Sequence, residues 1–264
     1  MRWTLPWLRP ALLLCALSAP IPLLGQPSPS ATSAFNTYIA TIESRLDRQH
    51  RSASSFTAAI DPSRQSSLRQ GQLVIDHIDP PGDDPSGAII HHWRGTAFAP
   101  GAHGSDFERI MRDFPAYPQI YAPQVIRARI LSQQGDHYSV SIRLRQKQVI
   151  TVVLDTAYDV TFARLDSQHV YSLSRSTQVS EIDNPGTDRE RALGPHDDHG
   201  FLWRINTYWT CEERDDGLYL QIESISLTRS IPAGLGWAVR PFIDTVPRQS
   251  LEFMLHSTVD ALRK

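Results

Sequence analysis

The chain has 264 residues, of which 41% are hydrophobic and 20% are charged, a composition typical of soluble globular proteins. This length allows one large domain or two small ones, and it is sufficient to bury a substantial core. The formal net charge of −2 gives no reason to expect a nucleic acid as partner, because proteins that bind nucleic acids carry basic surfaces that offset the phosphate charge.

The first 25 residues have the pattern of an export signal. Arg2 and Arg9 precede the apolar run 11–17, and small residues follow up to Gly25. We therefore predict that residues 1–25 are a signal peptide and that the protein is exported, to the periplasm or out of the cell. The alternative, retention as a membrane anchor, is disfavoured because the apolar run is too short to span a bilayer.

The two cysteines have different fates under this hypothesis. A lipid anchor at Cys15 would require a small residue before it, where the chain has Leu14. Removal of the leader leaves Cys211 alone, so an internal disulfide is excluded and no integral membrane segment is expected to remain. Cys211 alternates with Trp209 along a predicted strand, which favours a buried structural thiol over a nucleophile.

The segment 26–87 is predicted to be a spacer followed by a helical N-terminal extension. Residues 26–33 are rich in Pro and Ser, which predicts a flexible spacer. Apolar residues at helical spacing then predict a helix over Ala34–His50 that acts as a packing accessory; they are Phe35, Ile39, Ile42 and Leu46. The loop 79–85 is dominated by Pro, Gly and Asp and marks the boundary before a main domain over 88–264.

The main domain begins with a strand and one or two short helices, followed by a run of strands. Ala88–Phe98 is predicted to be a strand, and Ser105–Phe114 a helix that Ser105 and Glu108 cap. Short connections between the later strands indicate an antiparallel meander. The predicted strands after residue 124 are 125–131, 138–145, 149–163 and 168–182, and then the two strands of a hairpin.

That hairpin, over 200–229, leads the chain into its last helix. An Asp-Gly step between two alternating runs favours a hairpin turn, so we expect the strands to be joined at Asp215-Asp216-Gly217. The amphipathic segment Val246–Leu262 predicts a C-terminal helix that covers one face of the sheet.

This order of elements, over Ala88–Leu262, resembles the START-like or helix-grip superfamily, which also includes polyketide cyclases and the birch pollen allergen family. Several stretches are more specifically similar to an uncharacterised family of exported bacterial START-like proteins; they are Ile90-His91-His92-Trp93, 147–154, 200–208 and 226–237. The resemblance implies an α+β fold in which a curved antiparallel sheet of about seven strands wraps round a long C-terminal helix. It also implies a hydrophobic ligand enclosed between that sheet and that helix.

The faces of the hairpin predict where such a ligand would bind. Alternation on either side of an Asp216-Gly217 turn groups large aromatic side chains with small hydroxyl-bearing ones on the face toward the helix, as in an apolar pocket with a few polar groups. The residues predicted to line it are Trp203, Ile205, Thr207, Trp209, Ile222, Ser224 and Ser226, together with Tyr158, Met254 and Leu255. The alternative is a fully packed core without a cavity.

Arg175 is the one cation predicted for the same face. A turn at Asp166-Ser167 would place it beside Tyr158 and Phe162, and a buried charge requires a partner or an anionic ligand group. We therefore predict a ligand-orienting role, with an outward-turning bulge or a structural salt bridge as alternatives. On the opposite face, Arg204 and Glu223 are predicted to form an ion pair at the surface or between subdomains, which would be buried and structural if the N-terminal helix covers that face.

The sequence contains no recognisable metal, cofactor or nucleophile motif. The cluster 196–199, His-Asp-Asp-His, lacks the spacings of zinc sites and predicts a solvated loop. His91 and His92 alternate to opposite faces of their strand and would not converge on a metal. A Gly-x-Ser-x-Gly elbow and a phosphate-binding glycine loop are both missing, so we predict no catalytic residue, no metal and no cofactor.

The leading hypothesis is an exported protein that binds a hydrophobic small molecule or lipid without transforming it. One alternative is an enzyme on the same fold, similar to cyclases and aromatases, in which Arg175 or tyrosine and threonine groups of the pocket polarise a carbonyl. The other is an envelope interaction module with a filled core, whose segment Ala34–Leu68 engages a partner.

Overall fold

A computed structural model describes residues 25–82, 87–147, 151–194, 197–230 and 236–264, with the side chains of the last helix described from residue 245 onward. The leader predicted over 1–25 lies outside the described residues except for Gly25. Pro195, His196 and the loop 231–235 that precedes the last helix also lie outside them.

The described chain forms five α-helices, two short 3₁₀ turns and nine strands. The helices are α1 Pro29–Gln49, α2 Pro62–Arg69, α3 Gly104–Arg112, α4 Tyr117–Ile120 and α5 Gly236–Leu262, and the 3₁₀ turns are Ala53–Ser55 and Phe114–Ala116. The strands are β1 Val74–His77, β2 Ala88–Pro100, β3 Val125–Gln134, β4 His137–Lys147, β5 Thr151–Arg164, β6 His169–Asp183, β7 Arg191–Ala192, β8 Arg204–Arg214 and β9 Gly217–Arg229.

All nine strands belong to antiparallel pairs of one sheet, in the order β1-β2-β9-β8-β6-β5-β4-β3, with β7 paired to the far end of β6. The sheet curves around α5, so the predicted α+β helix-grip architecture is confirmed. The sheet has nine strands instead of about seven because β1 pairs with β2 at one edge and the two-residue β7 adds to β6.

The turn between β8 and β9 lies one residue earlier than predicted. Asp215 and Asp216 are its two central residues, with φ of 59° and 58°, the positive values that a two-residue hairpin turn of this hand requires. Arg214 therefore pairs with Gly217, and every pair along the hairpin moves by two residues. Because side chains alternate with a period of two, the faces of both strands remain as predicted.

The N-terminus of α3 is capped differently from the prediction. His103 is the N-cap residue, and its backbone N–H donates to the Asp106 carboxylate at 3.1 Å, so the capping box uses Asp106 instead of Glu108. Glu108 is buried and pairs with Arg164 of β5 and Arg112. The predicted helix is confirmed, although the cap falls two residues earlier because Gly104 already has helical geometry.

Helix α1 covers the face of the sheet that points away from α5, which we call the outer face. The helix begins at Pro29, earlier than predicted, because Ser28 caps it by accepting a hydrogen bond from the Ala31 N–H at 3.1 Å. Its apolar side packs into a cluster with the outer side chains of the sheet. That cluster includes Phe35, Ile39, Ile42, Leu46, Ile90, Tyr208, Ile225 and Leu227.

A buried polar network fixes α1 to the sheet. The Glu223 carboxylate pairs with Arg94 at 3.0 Å, with Arg45 of α1, and with His92 Nε2 at 2.9 Å. His92 Nδ1 lies 2.7 Å from the Tyr38 hydroxyl, which also belongs to α1. Glu223 therefore pairs with Arg45 and Arg94 and not with the predicted Arg204, which lies opposite Leu227.

Candidate functional site

The inner face of the sheet, which faces α5, is filled at one end. Leu251 and Leu255 of α5 are fully buried against it, and a Cβ added to Gly95 of β2 would lie 2.5 Å from Leu255 Cδ1. Gly95 therefore allows the helix to approach the sheet closely, since any side chain there would collide with it. Next to this contact, the ring of Trp209 packs on that of Phe107 in α3, with centroids 5.5 Å apart.

A hydrogen bond between two buried hydroxyls also joins α5 to the segment after α4. The hydroxyls of Tyr121, next to α4, and Thr258 of α5 lie 3.0 Å apart, and burial raises the pKa of Tyr121 to about 12. Burial also raises the pKa of the Cys211 thiol well above its usual range. Both groups are therefore protonated at neutral pH, and the predicted structural role of Cys211 agrees with its complete burial.

Beyond the filled end, the inner face carries small hydroxyl side chains. In the strand register, Ser224 of β9 lies opposite Thr207 of β8, which lies opposite Ser174 of β6. We call these three residues the hydroxyl row. All three side chains remain half-buried, although the neighbouring residues Trp209 and Ile222 are almost completely buried.

A second set of small polar groups lies one step further along the same strands. Ser226 pairs with Ile205, and the Ile205 backbone N–H donates to the Ser176 hydroxyl at 2.9 Å. Tyr158 of β5 lies opposite Ser176, and burial raises its pKa, so its phenol is neutral. This part of the inner face therefore offers hydroxyls beside apolar groups, with the imidazole of His91 opposite Ser226 as a titratable neighbour.

Trp93 of β2 stands at the end of the hydroxyl row. It lies opposite Ser224 in the register and packs against the inner core, so it belongs to the face toward α5. Its indole nitrogen, Nε1, is buried and is the one buried side-chain nitrogen or oxygen of the described residues that lacks a hydrogen-bond partner. Buried polar groups normally have partners, so an orphan donor beside the row is notable.

The structure brings most of the predicted pocket residues together on the inner face. Those that share this face are Ile205, Thr207, Trp209, Ile222, Ser224, Ser226, Tyr158, Met254 and Leu255. Leu255 and Ile222 are fully buried, whereas Ile205 and Met254 are half-buried. These residues share one face of the sheet, and their contact with a ligand stays a prediction.

Trp203 does not lie on the inner face, and its predicted placement was wrong. Its ring packs in the outer cluster with α1, and its Nε1 donates to the Gly25 carbonyl oxygen at 3.2 Å. The backbone N–H of Trp203 donates to the Leu227 carbonyl at 2.8 Å, although Arg204 is the residue paired with Leu227. Two successive residues thus oppose one partner, which ends the alternation, as in a β-bulge.

The predicted inward placement of Arg175 was also wrong. Arg175 lies on the outer face, where its Nε donates to the Glu43 carboxylate of α1 at 2.5 Å. The β5–β6 connection is longer than predicted, because Arg164 pairs with Val170 and the Asp166 carboxylate holds the loop by accepting the backbone N–H of His169 at 3.0 Å. The register moves by one residue, which exchanges the two faces of β6.

Sequence reasoning missed three inner-face residues, Trp93, Ser174 and Ser176. Alternation along β2 places Trp93 on the same face as Gly95, which the sequence alone could have shown. The pairing of β2 with β9, which brings Trp93 opposite Ser224, was not predicted. The two serines were assigned to the opposite face by the same one-residue error that misplaced Arg175.

The histidines do not form a metal site in the described part of the chain, where no cluster of three or more His, Cys, Asp or Glu is placed to hold a metal ion. His91 and His92 lie on opposite faces, as predicted: His91 Nε2 is 3.0 Å from the Thr228 hydroxyl, and His92 is in the outer network. In the 197–199 segment, His199 Nδ1 contacts the buried Glu181 carboxylate at 2.8 Å.

An open groove of about 660 Å³ lies elsewhere, on the outer side, between the C-terminal end of α1 and residues 53–60. Two of its arginines are already paired, Arg45 with Glu223 and Arg214 with Glu212 at 3.2 Å. The groove is therefore a wide surface feature with largely compensated charge, and the inner face is the better candidate site.

The chain matches no protein-family model and no curated protein sequence. Solved structures of similar shape include a STAR-related lipid transfer protein from Xanthomonas axonopodis, at 17% identity over 69% of this chain and 97% of that chain, with a TM-score of 0.44. They also include the Zhui aromatase/cyclase from a Streptomyces species, at 10% identity over 66% and 94% of the two chains and a TM-score of 0.46. A START superfamily protein from Mycobacterium smegmatis has 13% identity over 67% and 97%, with a TM-score of 0.40. These proteins are named as members of the START-like and cyclase groups that the sequence resembles. At these sequence identities the likeness concerns the fold alone.

Proposed function

We propose that this protein is an exported binding protein that holds an apolar small molecule or lipid between the inner face and helix α5. The observation that carries the proposal is the contrast along the inner face. The helix contacts the sheet directly at Gly95, whereas the hydroxyl row of Ser174, Thr207 and Ser224 has small side chains that remain partly exposed. A mostly apolar concave surface with a few polar groups is the usual composition of a small-molecule site.

The surroundings of the row favour an apolar ligand. Tyr158, Trp209 and Ile222 border the row with buried aromatic and aliphatic surface, and Ile205 and Met254 add half-buried apolar surface. Apolar ligand surface removed from water there would contribute about 25 cal/mol per Å². Binding would thus be driven by hydrophobic burial, with the hydroxyls deciding orientation.

The exported location is part of the proposal and rests on the leader pattern of residues 1–25. No described helix is both long enough and apolar enough to cross a membrane. Fractionation of cells that express the full chain, with N-terminal sequencing of the product, tests it. Recovery of the intact N-terminus in the cytoplasm would contradict export.

The two alternatives from the sequence have less support. The enzyme hypothesis gave the role of polarising a carbonyl to Arg175 or to tyrosine and threonine groups of the pocket. Arg175 pairs with Glu43 on the outer face, which leaves that role only to uncharged groups such as Tyr158 and Thr207. The interaction hypothesis used the segment Ala34–Leu68, yet the apolar side of α1 is buried against the chain's own sheet. The binding hypothesis loses Trp203 and Arg175 to the outer face but retains its other predicted lining residues on the inner face.

Extraction of the purified protein followed by mass spectrometry tests the binding function. We expect a recurrent apolar compound in the extract of the wild-type protein and its loss from a Thr207→Leu/Ser224→Leu variant, because the larger side chains fill the space beside the row. Thr41→Leu, at an exposed position on α1, is the matched control. An extract identical in all three proteins would contradict the proposal.

A further inference from the structure

The orphan donor of Trp93 identifies one feature of the ligand. An indole N–H donates only, and leaving it buried without an acceptor costs about 1–3 kcal/mol. Trp93 lies opposite Ser224 at the end of the hydroxyl row, on the face that holds the proposed ligand. A hydrogen-bond acceptor on the ligand would satisfy this group.

The charge of the row restricts that acceptor further. The strand positions of the hydroxyl row and of its neighbours Ile205, Ser226 and Tyr158 include no lysine or arginine. Arg175, the cation predicted for this face, is paired on the other side of the sheet. The titratable cations near the row are two imidazoles, His91 opposite Ser226 and His77 with its ring 4.6 Å from that of Trp93, and neither carries a permanent charge. Among the described residues, a carboxylate or phosphate buried here would therefore lack a permanent counter-charge, which is very costly, whereas a neutral carbonyl needs none.

We propose that the site selects apolar molecules that carry an uncharged hydrogen-bond acceptor, an ester or ketone carbonyl, and that Trp93 Nε1 donates to that carbonyl. This inference rests on the proposed function and specifies its ligand class. The hydroxyl of Ser224, opposite Trp93, is the nearest further donor along the row. The apolar body of the ligand lies toward Ile205 and Trp209.

Three probes of equal chain length separate the possibilities: methyl laurate, laurate and dodecane. Binding to the wild-type protein and to Trp93→Phe is measured by calorimetry. We expect methyl laurate to bind the wild type more tightly than laurate does, and Trp93→Phe to weaken methyl laurate roughly three- to tenfold while dodecane is unaffected. Ser224→Ala is expected to weaken methyl laurate less.

A second measurement uses the wild-type protein alone, so it does not depend on the folding of a variant. The indole N–H resonance of Trp93, assigned by NMR, is expected to move downfield with methyl laurate and not with dodecane. Equal affinities of the wild type and Trp93→Phe for methyl laurate would overturn the role of Trp93 while leaving the binding function intact. Tighter binding of laurate would overturn the preference for a neutral carbonyl. If no probe binds the wild type, both this inference and the proposed function fail.

Discussion

Arg175 Nε donates to the carboxylate of Glu43 at 2.5 Å, which joins β6 to α1 on the side of the sheet opposite the proposed site. Glu43 also accepts the Tyr208 hydroxyl at 2.9 Å. The arginine that the sequence placed in the pocket thus stabilises the packing of the N-terminal helix.

We expect Arg175→Ala to cost less than about 1 kcal/mol of unfolding free energy, because the guanidinium is substantially exposed and such pairs are screened by water. The affinity for methyl laurate should not change. Urea unfolding and calorimetry measure the two effects, and Glu43→Gln is the matched partner variant. Unchanged stability together with a large loss of affinity would contradict the outer-face role.

Glu223→Gln is expected to be much more destabilising. Burial alone would raise the pKa of Glu223, but the hydrogen bond from His92 and the charges of Arg94 and Arg45 outweigh it and lower the pKa to about 2. Breaking a buried charged network typically costs 3–5 kcal/mol, and since Arg45 and Arg94 keep some exposure we expect about 2–3 kcal/mol at pH 7.

The same carboxylate gives the stability a defined acid dependence. Its pKa is lower in the folded chain than in the unfolded one, so its contribution is complete above about pH 4.5 and is lost as the pH falls toward 2. Between pH 2 and 4.5 the unfolding free energy of the wild type should rise with pH, and Glu223→Gln should remove the contribution of this carboxylate to that slope. Glu252→Gln, in an exposed pair with Arg248, serves as control and should keep the slope.

His50 is expected to add a second window at higher pH. Burial between Phe56 and Tyr171 lowers the pKa of His50 to about 4, with a smaller contribution from the Arg45 charge. Because the unfolded chain takes up this proton near pH 6.5, stability should fall as the pH drops from about 6.5 to 4. In the wild type, His50 Nε2 lies 2.9 Å from the Thr210 hydroxyl. His50→Gln keeps a polar group at this position but removes the titrating imidazole, so the plot of unfolding free energy against pH should be flatter between pH 4 and 6.5. If His50→Gln leaves the pH dependence of the unfolding free energy unchanged, folding does not lower the pKa of His50.

Asp198→Asn is expected to stabilise the protein at neutral pH. Burial and the nearby Glu181 carboxylate raise the pKa of Asp198 to about 6, although the Arg229 charge acts in the opposite direction. A raised carboxyl pKa means that stability is lost as the pH rises from about 3.8 to 6. The asparagine retains the acceptor for the Gly200 N–H and removes the repulsion, so a gain of roughly 1–2 kcal/mol is expected at pH 8. Thermal melts at pH 4 and pH 8 check this, and an equal gain at both values would exclude ionisation as the cause.

The sequence alone determined most elements of this fold and the faces of the β8–β9 hairpin. The Asp215-Asp216 turn was predicted one residue too late, but that error moves each pair by two residues, and alternation with a period of two leaves Thr207 and Ser224 on the inner face. Hydrophobic periodicity likewise predicted the burial of Ile39 and Ile42 in α1.

Only the tertiary structure decided which side of the sheet Arg175 and Trp203 occupy. A loop held by Asp166 moves the β5–β6 register by one residue, and a bulge opposite Leu227 interrupts the alternation at Trp203, so a local change reverses a whole face. The pairing of Trp93 with Ser224 joins residues more than a hundred positions apart, which local patterns do not encode. The sequence therefore supplied the hydroxyl side chains of β8 and β9, and the strand order of the folded chain placed the indole donor beside them.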